Sequence, residues 1–233
     1  MLELKKELEK IKDSFSRISE IVYQTPVLSS ISINKALKAD ITFKAECLQE
    51  TGSFKLRGAS SAISALSEEE KSRGVVAFSS GNHAQGIAYA SRELGTSAKI
   101  VMPSDAPKIK IRKTQEYGAE VIFYDPEKEI REDIGKEIAK NENRTIIKPY
   151  DDYDIIAGQG TAGYEISQEL ESLSIIPDIY LCCCGGGGLI AGTSTYLKYK
   201  FPNIEVYAVE PEEFDDTKTS LETGSIKRNK ANS

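Results

Sequence analysis

The stretch GVVAFSSGNHAQGIAYASRELGTSAKIVM (residues 74–102) contains one complete change from strand to helix and back to strand. Its two apolar ends, residues 74–78 and 98–102, adjoin glycine, serine or proline, which is typical of short buried strands. Between them, residues 83–94 have the length and pattern of a helix that connects two parallel strands. We therefore predict a strand–helix–strand unit at the centre of the fold.

The same alternation extends over most of the chain. An amphipathic helix with one buried stripe is predicted first, over residues 2–20, because apolar residues recur there at helical spacing: Leu4, Leu8, Ile11, Phe15 and Ile18. Further helices of about 10 to 15 residues separate apolar segments that we predict to be strands. These segments are 41–46, 119–124, 145–148, 178–184 and 205–210. Strands and helices in this order indicate an α/β protein with open parallel sheet.

The composition is that of an ordinary globular protein, with 39% hydrophobic and 28% charged residues. A formal net charge of −6 argues against nucleic acid as the main partner. No apolar run approaches the roughly 20 residues that span a bilayer, so we expect no membrane partner. The amphipathic N-terminus lacks the continuous apolar region of a signal peptide, and a cytoplasmic location is the expectation.

Cysteine and histidine are too few, and wrongly spaced, for a metal or disulfide framework. The four cysteines are Cys47 and the consecutive Cys182, Cys183 and Cys184, and His83 is the single histidine. Neither set matches the spacing of zinc ligands or of a disulfide scaffold. We interpret the triple cysteine as small apolar filling at the end of a buried strand.

The segment CCCGGGGLIAG (182–192) joins an apolar strand to a helix through four consecutive glycines. Glycine allows close approach of the backbone to a ligand, and the helix start offers free N–H groups and a positive dipole end. A tight turn is the simpler explanation, but two glycines would be enough for it. We therefore favour a phosphate site. The run matches neither a dinucleotide fingerprint nor a P-loop, which leaves a small monophosphate cofactor.

A second strand-to-helix junction, SSGNHAQG (79–86), brings together two hydroxyls, an amide and an imidazole. Helix capping would explain one of these polar side chains, but not four. Such a cluster, next to free backbone N–H groups, can hold a carboxylate and a ring oxygen.

The segment TGSFKLRGAS (51–60) places Lys55 directly after a flexible turn. A lone lysine in a helix is usually solvated. A neutral lysine amine, however, forms Schiff bases with carbonyl cofactors, which Arg57 cannot do because it stays protonated. Together with the two junctions above, Lys55 makes pyridoxal phosphate chemistry a reasonable hypothesis.

Three ordered motifs, TGSFKLRGA (51–59), SSGNHAQGIA (79–88) and GGGGLIAG (185–192), resemble those of the fold-type II pyridoxal-phosphate enzymes. The likeness is greatest to the serine/threonine dehydratases and serine racemases, and it extends from TPVL at 25 to VEPEEFDD at 209–216.

The resemblance implies the tryptophan synthase β-like fold of two open parallel-sheet domains. Residues 1–50 and 147–233 would form the larger, pyridoxal-phosphate domain, and residues 51–146 the smaller α/β domain. Chains of this family continue past the present C-terminus with further sheet and a Ser or Cys for the pyridine nitrogen. We therefore expect this chain to be a fragment, incomplete at its C-terminus.

Site residues are implied by the same resemblance. Lys55 matches the Schiff-base lysine, and Ser80 the acid/base serine of racemising members. The cofactor-binding positions are Phe54, Lys55, Asn82, Gly185, Gly186, Gly187, Gly188 and Leu189. The substrate carboxylate loop comprises Ser79, Ser80, Asn82 and His83. Glu210, the Phe214 carbonyl and Asp216 match a divalent-cation site, whose oxygen ligands suit Mg²⁺ or Ca²⁺.

The implied function is a pyridoxal-phosphate-dependent dehydratase, or ammonia-lyase, that converts L-threonine and/or L-serine to a 2-oxo acid and ammonia. A serine racemase and a threo-3-hydroxyaspartate dehydratase are equally compatible with the motifs. From another class, the fragment could bind a ligand or partner without turnover. The full-length protein is expected to act on a small amino acid as a homodimer.

Overall fold

The structure is a computed structural model that describes residues 2–227. Its α-helices are α1 Leu2–Ile18, α2 Ile31–Leu37, α3 Lys55–Ser64, α4 Glu68–Arg73, α5 Asn82–Glu93, α6 Lys108–Glu116, α7 Arg131–Glu142, α8 Tyr153–Ser172, α9 Gly188–Lys200 and α10 Asp216–Thr223. Its strands are β1 Val27–Ser29, β2 Thr42–Lys44, β3 Val75–Phe78, β4 Ala98–Pro103, β5 Glu120–Tyr124, β6 Thr145–Ile146, β7 Ile179–Cys183 and β8 Glu205–Val209. Residues 228–233, the end of the predicted larger domain, lie outside the described part.

A four-stranded sheet with the order β5-β4-β3-β6 forms the centre of the fold, and all of its strand pairs are parallel. In the β3–β4 pair, Val75 lies opposite Ala98 and Phe78 opposite Val101. The predicted strand–helix–strand unit is therefore confirmed, with α5 as its connection. Because helices cover both faces, Val75, Val76 and Ala77 are completely buried.

Two smaller sheets accompany the central one. Strands β7 and β8 pair in parallel, so the second parallel unit is also confirmed. Strands β1 and β2 pair antiparallel, with Val27 opposite Lys44. This antiparallel pair departs from the all-parallel expectation, because a short connection through α2 reverses the chain direction without the crossover that parallel strands require.

The main apolar core joins the central sheet to helices α3 and α5 and also includes side chains from the N-terminal segment. Ile18 and Val22 pack there with Leu56, Ile87 and Ile100. The predicted stripe of α1 is confirmed for Leu8, Ile11 and Ile18, which are buried, but not for Leu4, which is 46% exposed. This core contains residues from both predicted domains, the one of residues 51–146 and the larger one. The division between the two domains therefore stays a prediction.

The interpretation of the triple cysteine also needs correction. Cys182 is buried at the end of β7, but Cys183 is exposed and Cys184 is half-buried, so this is not a buried strand. Within residues 2–227, β7 pairs only with β8, and its outer face leaves Ile179 and Leu181 exposed.

The sequence pattern predicts a helix over residues 127–141, but α7 begins only at Arg131. Asp125 accepts a hydrogen bond from the N–H of Glu127 and holds the preceding residues in a turn. Three short helices, α2, α4 and α10, were not predicted. Helix α4 has a complete capping box between Ser67 and Glu70. No helix between residues 2 and 227 is long and apolar enough to cross a bilayer.

Candidate active site

Lys55 is the first residue of α3, and the next residue, Leu56, packs in the main apolar core. Lys55 Nζ donates to the carbonyl oxygen of Pro149 at 2.7 Å, and the Phe54 ring lies beside it. Burial lowers the pKa of Lys55 below its ordinary value. A lowered pKa raises the fraction of neutral amine, which is the nucleophilic form.

Arg57, two residues further along, has a purely internal role. Its side chain is fully buried and forms ion pairs with Glu46 at 2.8 Å and with Glu165 at 2.7 Å. Lys44 adds a second cation to Glu165 at 2.6 Å. Burial acts to raise the pKa of Glu46, but the Arg57 guanidinium outweighs it and lowers the pKa overall. Removing one partner from such a set costs about 3–5 kcal/mol, so this cluster fixes α3 against α8.

The glycine run forms the turn between β7 and α9. Gly187 has a φ of 79°, which a residue with a side chain adopts only at a cost. The first α9 bond runs from the N–H of Ala191 to the carbonyl of Gly187. The N–H groups of Gly188, Leu189 and Ile190 precede that bond and have no partner within the helix. They form the positive end of α9, as a phosphate site requires.

Lys55 and the glycine run border one cavity of about 120 Å³. The Tyr150 ring lies so close to Gly186 that a Cβ on that glycine would overlap it. The full lining consists of Phe54, Lys55, Pro149, Tyr150, Gln159, Cys183, Gly185, Gly186, Gly187, Gly188 and Leu189. The predicted attachment lysine and the predicted phosphate loop therefore lie at the same site.

The predicted carboxylate loop lies beside this cavity but does not line it. His83 is buried, and its Nε2 donates to the carbonyl of Ile147 at 3.3 Å. Burial, with a smaller effect of the nearby Lys55 charge, lowers the pKa of His83 to about 3. Ser79 Oγ accepts the N–H of Gly81, while the side chains of Ser80 and Asn82 are exposed.

The loop and the lysine contact the same short segment, since His83 bonds to Ile147 and Lys55 bonds to Pro149. Helix α5 also packs directly on the start of α3. At Gly86, a Cβ would lie 3.2 Å from the backbone of Lys55. This close contact fixes the distance between the loop and the lysine.

The predicted cation ligands lie at the junction of β8 and α10, where Thr217 Oγ1 is 3.5 Å from Sγ of Cys184, the residue before the glycine run. The two carboxylate oxygens of Glu210 accept the N–H groups of Thr217 and Lys218 at 3.0 and 2.9 Å. Burial acts to raise the pKa of Glu210, but these hydrogen bonds lower it overall. Among the described residues, no group of three or more His, Cys, Asp or Glu side chains could hold a metal ion. A cleft of about 610 Å³ between β8 and α10 contains neither Lys55 nor the glycine run.

Four residues of the cavity were not identified from the sequence: Pro149, Tyr150, Gln159 and Cys183. Cys183 lies close to the glycine run, which was selected for its glycines. Gln159 was detectable only as a polar residue in the small-residue run AGQGTAG, at 157–163. Its buried Nε2 has no hydrogen-bond partner among the described residues. Such a group costs about 1–3 kcal/mol unless a partner satisfies it.

Residues 18–233 match the family described as "Pyridoxal-phosphate dependent enzyme". The chain belongs to this family. The serine racemase of Schizosaccharomyces pombe is 45% identical over 216 residues, which cover 93% of this chain and 66% of that protein. The L-threo-3-hydroxyaspartate ammonia-lyase of Saccharomyces cerevisiae is 44% identical, over 93% of this chain and 65% of that protein.

Solved structures of family members have the same fold. Maize serine racemase superposes with a TM-score of 0.91 at 37% identity, over 97% of this chain and 67% of that one. The serine racemase of Dictyostelium discoideum gives 0.88 at 42% identity, over 94% and 70%. The chain thus spans about two thirds of the length of its relatives. The residues present fit the family's cofactor, because they supply an amine, unpaired backbone N–H groups and an unsatisfied buried amide in one cavity.

Proposed function

We propose that the whole protein is a pyridoxal-phosphate-dependent ammonia-lyase that converts L-threonine, L-serine or both to a 2-oxo acid and ammonia. The observation that carries this proposal is the single cavity that Lys55 shares with the start of α9. The lowered pKa of Lys55 supports the same role, since a neutral amine is needed to attack a carbonyl carbon.

Each part of the site has a separate task. Pyridoxal phosphate, when bound, supplies an aldehyde for a lysine amine and a ring that takes up the electron pair released at the substrate α-carbon. Lys55 is the attachment point, Phe54 packs against the ring and Asn82 bonds to the ring oxygen. The backbone N–H groups of Gly185–Leu189 hold the phosphate.

Substrate binding falls to the loop of residues 79–83. Because the pKa of His83 is about 3, its imidazole is neutral at pH 7 and adds no positive charge. Ser79, Ser80 and the first N–H groups of α5 therefore bind the substrate carboxylate by hydrogen bonding and the helix dipole.

Lys55 then acts as the base that takes the α-proton, because it is the amine in the cavity. The β-hydroxyl leaves with a proton as water, and hydrolysis then consumes one water and releases ammonia. The net products are a 2-oxo acid and ammonia. Ser80, exposed on the substrate loop, is the group that would deliver a proton to the opposite face in a racemase. D-serine formed from L-serine measures that activity.

A second candidate substrate, L-threo-3-hydroxyaspartate, is favoured by the position of Lys110. A Cβ on Gly81 would lie 2.9 Å from Lys110 Nζ, so this ammonium adjoins the substrate loop. Within residues 4–227, Lys110 forms no ion pair. An unpaired cation here would attract a second carboxylate. Lys110→Met should therefore lower kcat/KM for hydroxyaspartate while leaving that for L-serine nearly unchanged.

Other properties of the whole protein are proposed from the resemblance: residues 51–146 form the smaller domain, and the protein is a cytoplasmic homodimer. We also propose that Glu210, the Phe214 carbonyl and Asp216 bind Mg²⁺ or Ca²⁺ in it. The support is the chemistry of these oxygen ligands.

Borohydride trapping tests the central claim. The chain would be incubated with pyridoxal phosphate, reduced and digested, and the modified peptide mapped by mass spectrometry. We expect the label on Lys55, its loss in Lys55→Arg, and no change in Lys148→Arg, whose exposed amine lies near the site but does not line the cavity. A label on another amine would contradict the proposal. A label on Lys55 without any 2-oxo acid from the full-length protein would instead favour a binding module without turnover.

A further inference from the structure

Gln159, in the middle of α8, is a buried polar residue of the cavity to which the proposed function assigns no task. Its side chain is 1% exposed, and its Oε1 accepts the backbone N–H of Gly58, in α3, at 3.3 Å. This bond fixes the orientation of the amide, because the opposite orientation would bring two donors together. Nε2 is then left with no partner among the residues that the structure describes.

An amide nitrogen in this position is unfavourable unless something else accepts its hydrogen bond. Burial removes the water that would otherwise do so, and the residues that the structure describes supply no acceptor. The residue lines the cavity that also contains Lys55 and the glycine run. The missing acceptor is therefore expected to come from a ligand in that cavity.

The packing of α8 against α9 decides which part of a ligand Gln159 can reach. A Cβ on Gly192 would overlap the backbone of Gly160, and the rings of Tyr164 and Tyr196 lie 5.0 Å apart. Both pairs are separated by 32 positions, so the two helices run parallel and in register. Measured along the axes of the two helices, Gln159 accordingly lies about one turn beyond Gly188, the first residue of α9.

Parallel packing also places the positive ends of both helices at the same side of the fold. The N–H groups at the start of α9 and the amide of Gln159 are all hydrogen-bond donors. The chemical group that satisfies several closely spaced donors and two helix dipoles is an anion with several oxygens.

We propose that Gln159 Nε2 donates a hydrogen bond to the phosphate group held by Gly185–Gly188. This inference rests on the proposed function, because it takes pyridoxal phosphate as the ligand. The same amide accepts a hydrogen bond from α3, the helix that begins with Lys55. Gln159 thus connects the phosphate to the attachment lysine through one side chain.

The test compares pyridoxal phosphate with pyridoxal, which lacks the phosphate, by titrating the absorption change on binding. Gln159→Met removes the donor at similar length, and Gln159→Glu keeps an acceptor for Gly58 but replaces the donor with a carboxylate. We expect both variants to weaken pyridoxal phosphate binding by about 10-fold or more, and pyridoxal binding by less than about 3-fold. Gln168→Met, an exposed glutamine on the same helix, is the matched control and should change neither.

Equal losses for the two ligands would mean that Gln159 only supports the fold, and unchanged binding would mean that it does not contact the phosphate. Either result overturns the proposal. The melting temperature in inorganic phosphate gives a second readout that does not depend on attachment to Lys55. Phosphate should raise it in the wild type and raise it less in Gln159→Met. An equal rise in both, or none in either, also contradicts the inference, whereas a label on another lysine contradicts only the proposed function.

Discussion

The two strand-to-helix junctions of the site have the same local topology but different chemistry. The junction after β3 carries polar side chains and rises from a strand whose first three residues are completely buried. The junction after β7 carries only backbone groups and follows a strand with exposed apolar residues. The first recognises a ligand through side chains that a rigid sheet positions. The second does so through N–H groups that any helix start provides, once glycines leave room for the ligand.

Because of this difference, the central sheet should contribute more to the free energy of unfolding than strand β7 does. Side chains in the central sheet are removed from water on both faces, whereas those on the outer face of β7 remain solvated in the described part of the chain. The burial of apolar area, not the quality of strand pairing, separates the two regions.

A matched pair of truncations gives the largest expected effect. Ile100, in β4, is fully buried, and Ile179, in β7, is 56% exposed. Ile100→Ala should lower the free energy of unfolding by about 2–5 kcal/mol, because it leaves a cavity in the core. Ile179→Ala should change it by less than about 0.5 kcal/mol. Urea denaturation of this chain measures both values, and similar losses would show that β7 is buried in solution.

The pH dependence of stability is a second test, of the side-chain junction alone. The pKa of His83 is about 3 in the folded protein, against the ordinary 6.5, so the unfolded chain binds this proton more readily. Stability from neutral His83 is complete above about pH 6.5 and is lost as the pH falls towards 3. Relative to His83→Gln, the wild type should lose about 1.4 kcal/mol per pH unit in this range, or about 2 kcal/mol by pH 5.

Because His83 is the single histidine in the chain, the difference between the two proteins isolates one titration. Carboxyl groups titrate in both and cancel. Parallel pH profiles for the two proteins would mean that the imidazole is solvated and that the junction is open.

The sequence predicts this fold well where local pattern and burial agree. The strand predicted at 98–102 is Ala98–Pro103, and the glycine run begins a helix as expected. The prediction fails where burial depends on which element packs on a face of the sheet, as at the triple cysteine. An apolar strand has the same sequence pattern whether or not another element covers it. Gln159 was missed for a related reason, because its partner Gly58 is 101 positions away and only helix packing brings them together.

The smallest expected effect concerns the backbone junction and uses two neighbouring glycines. Gly187 has a φ of 79°, whereas Gly185 does not have a positive φ, and a Cβ would meet no atom within 4 Å at either position. Gly187→Ala should therefore cost about 1–2 kcal/mol of stability from backbone strain alone, and Gly185→Ala less than about 0.5 kcal/mol. Thermal or urea unfolding measures the pair. An equal cost at both positions would mean that contacts, and not the left-handed backbone at Gly187, require glycine in this loop, and the backbone-only character of the second junction would then be wrong.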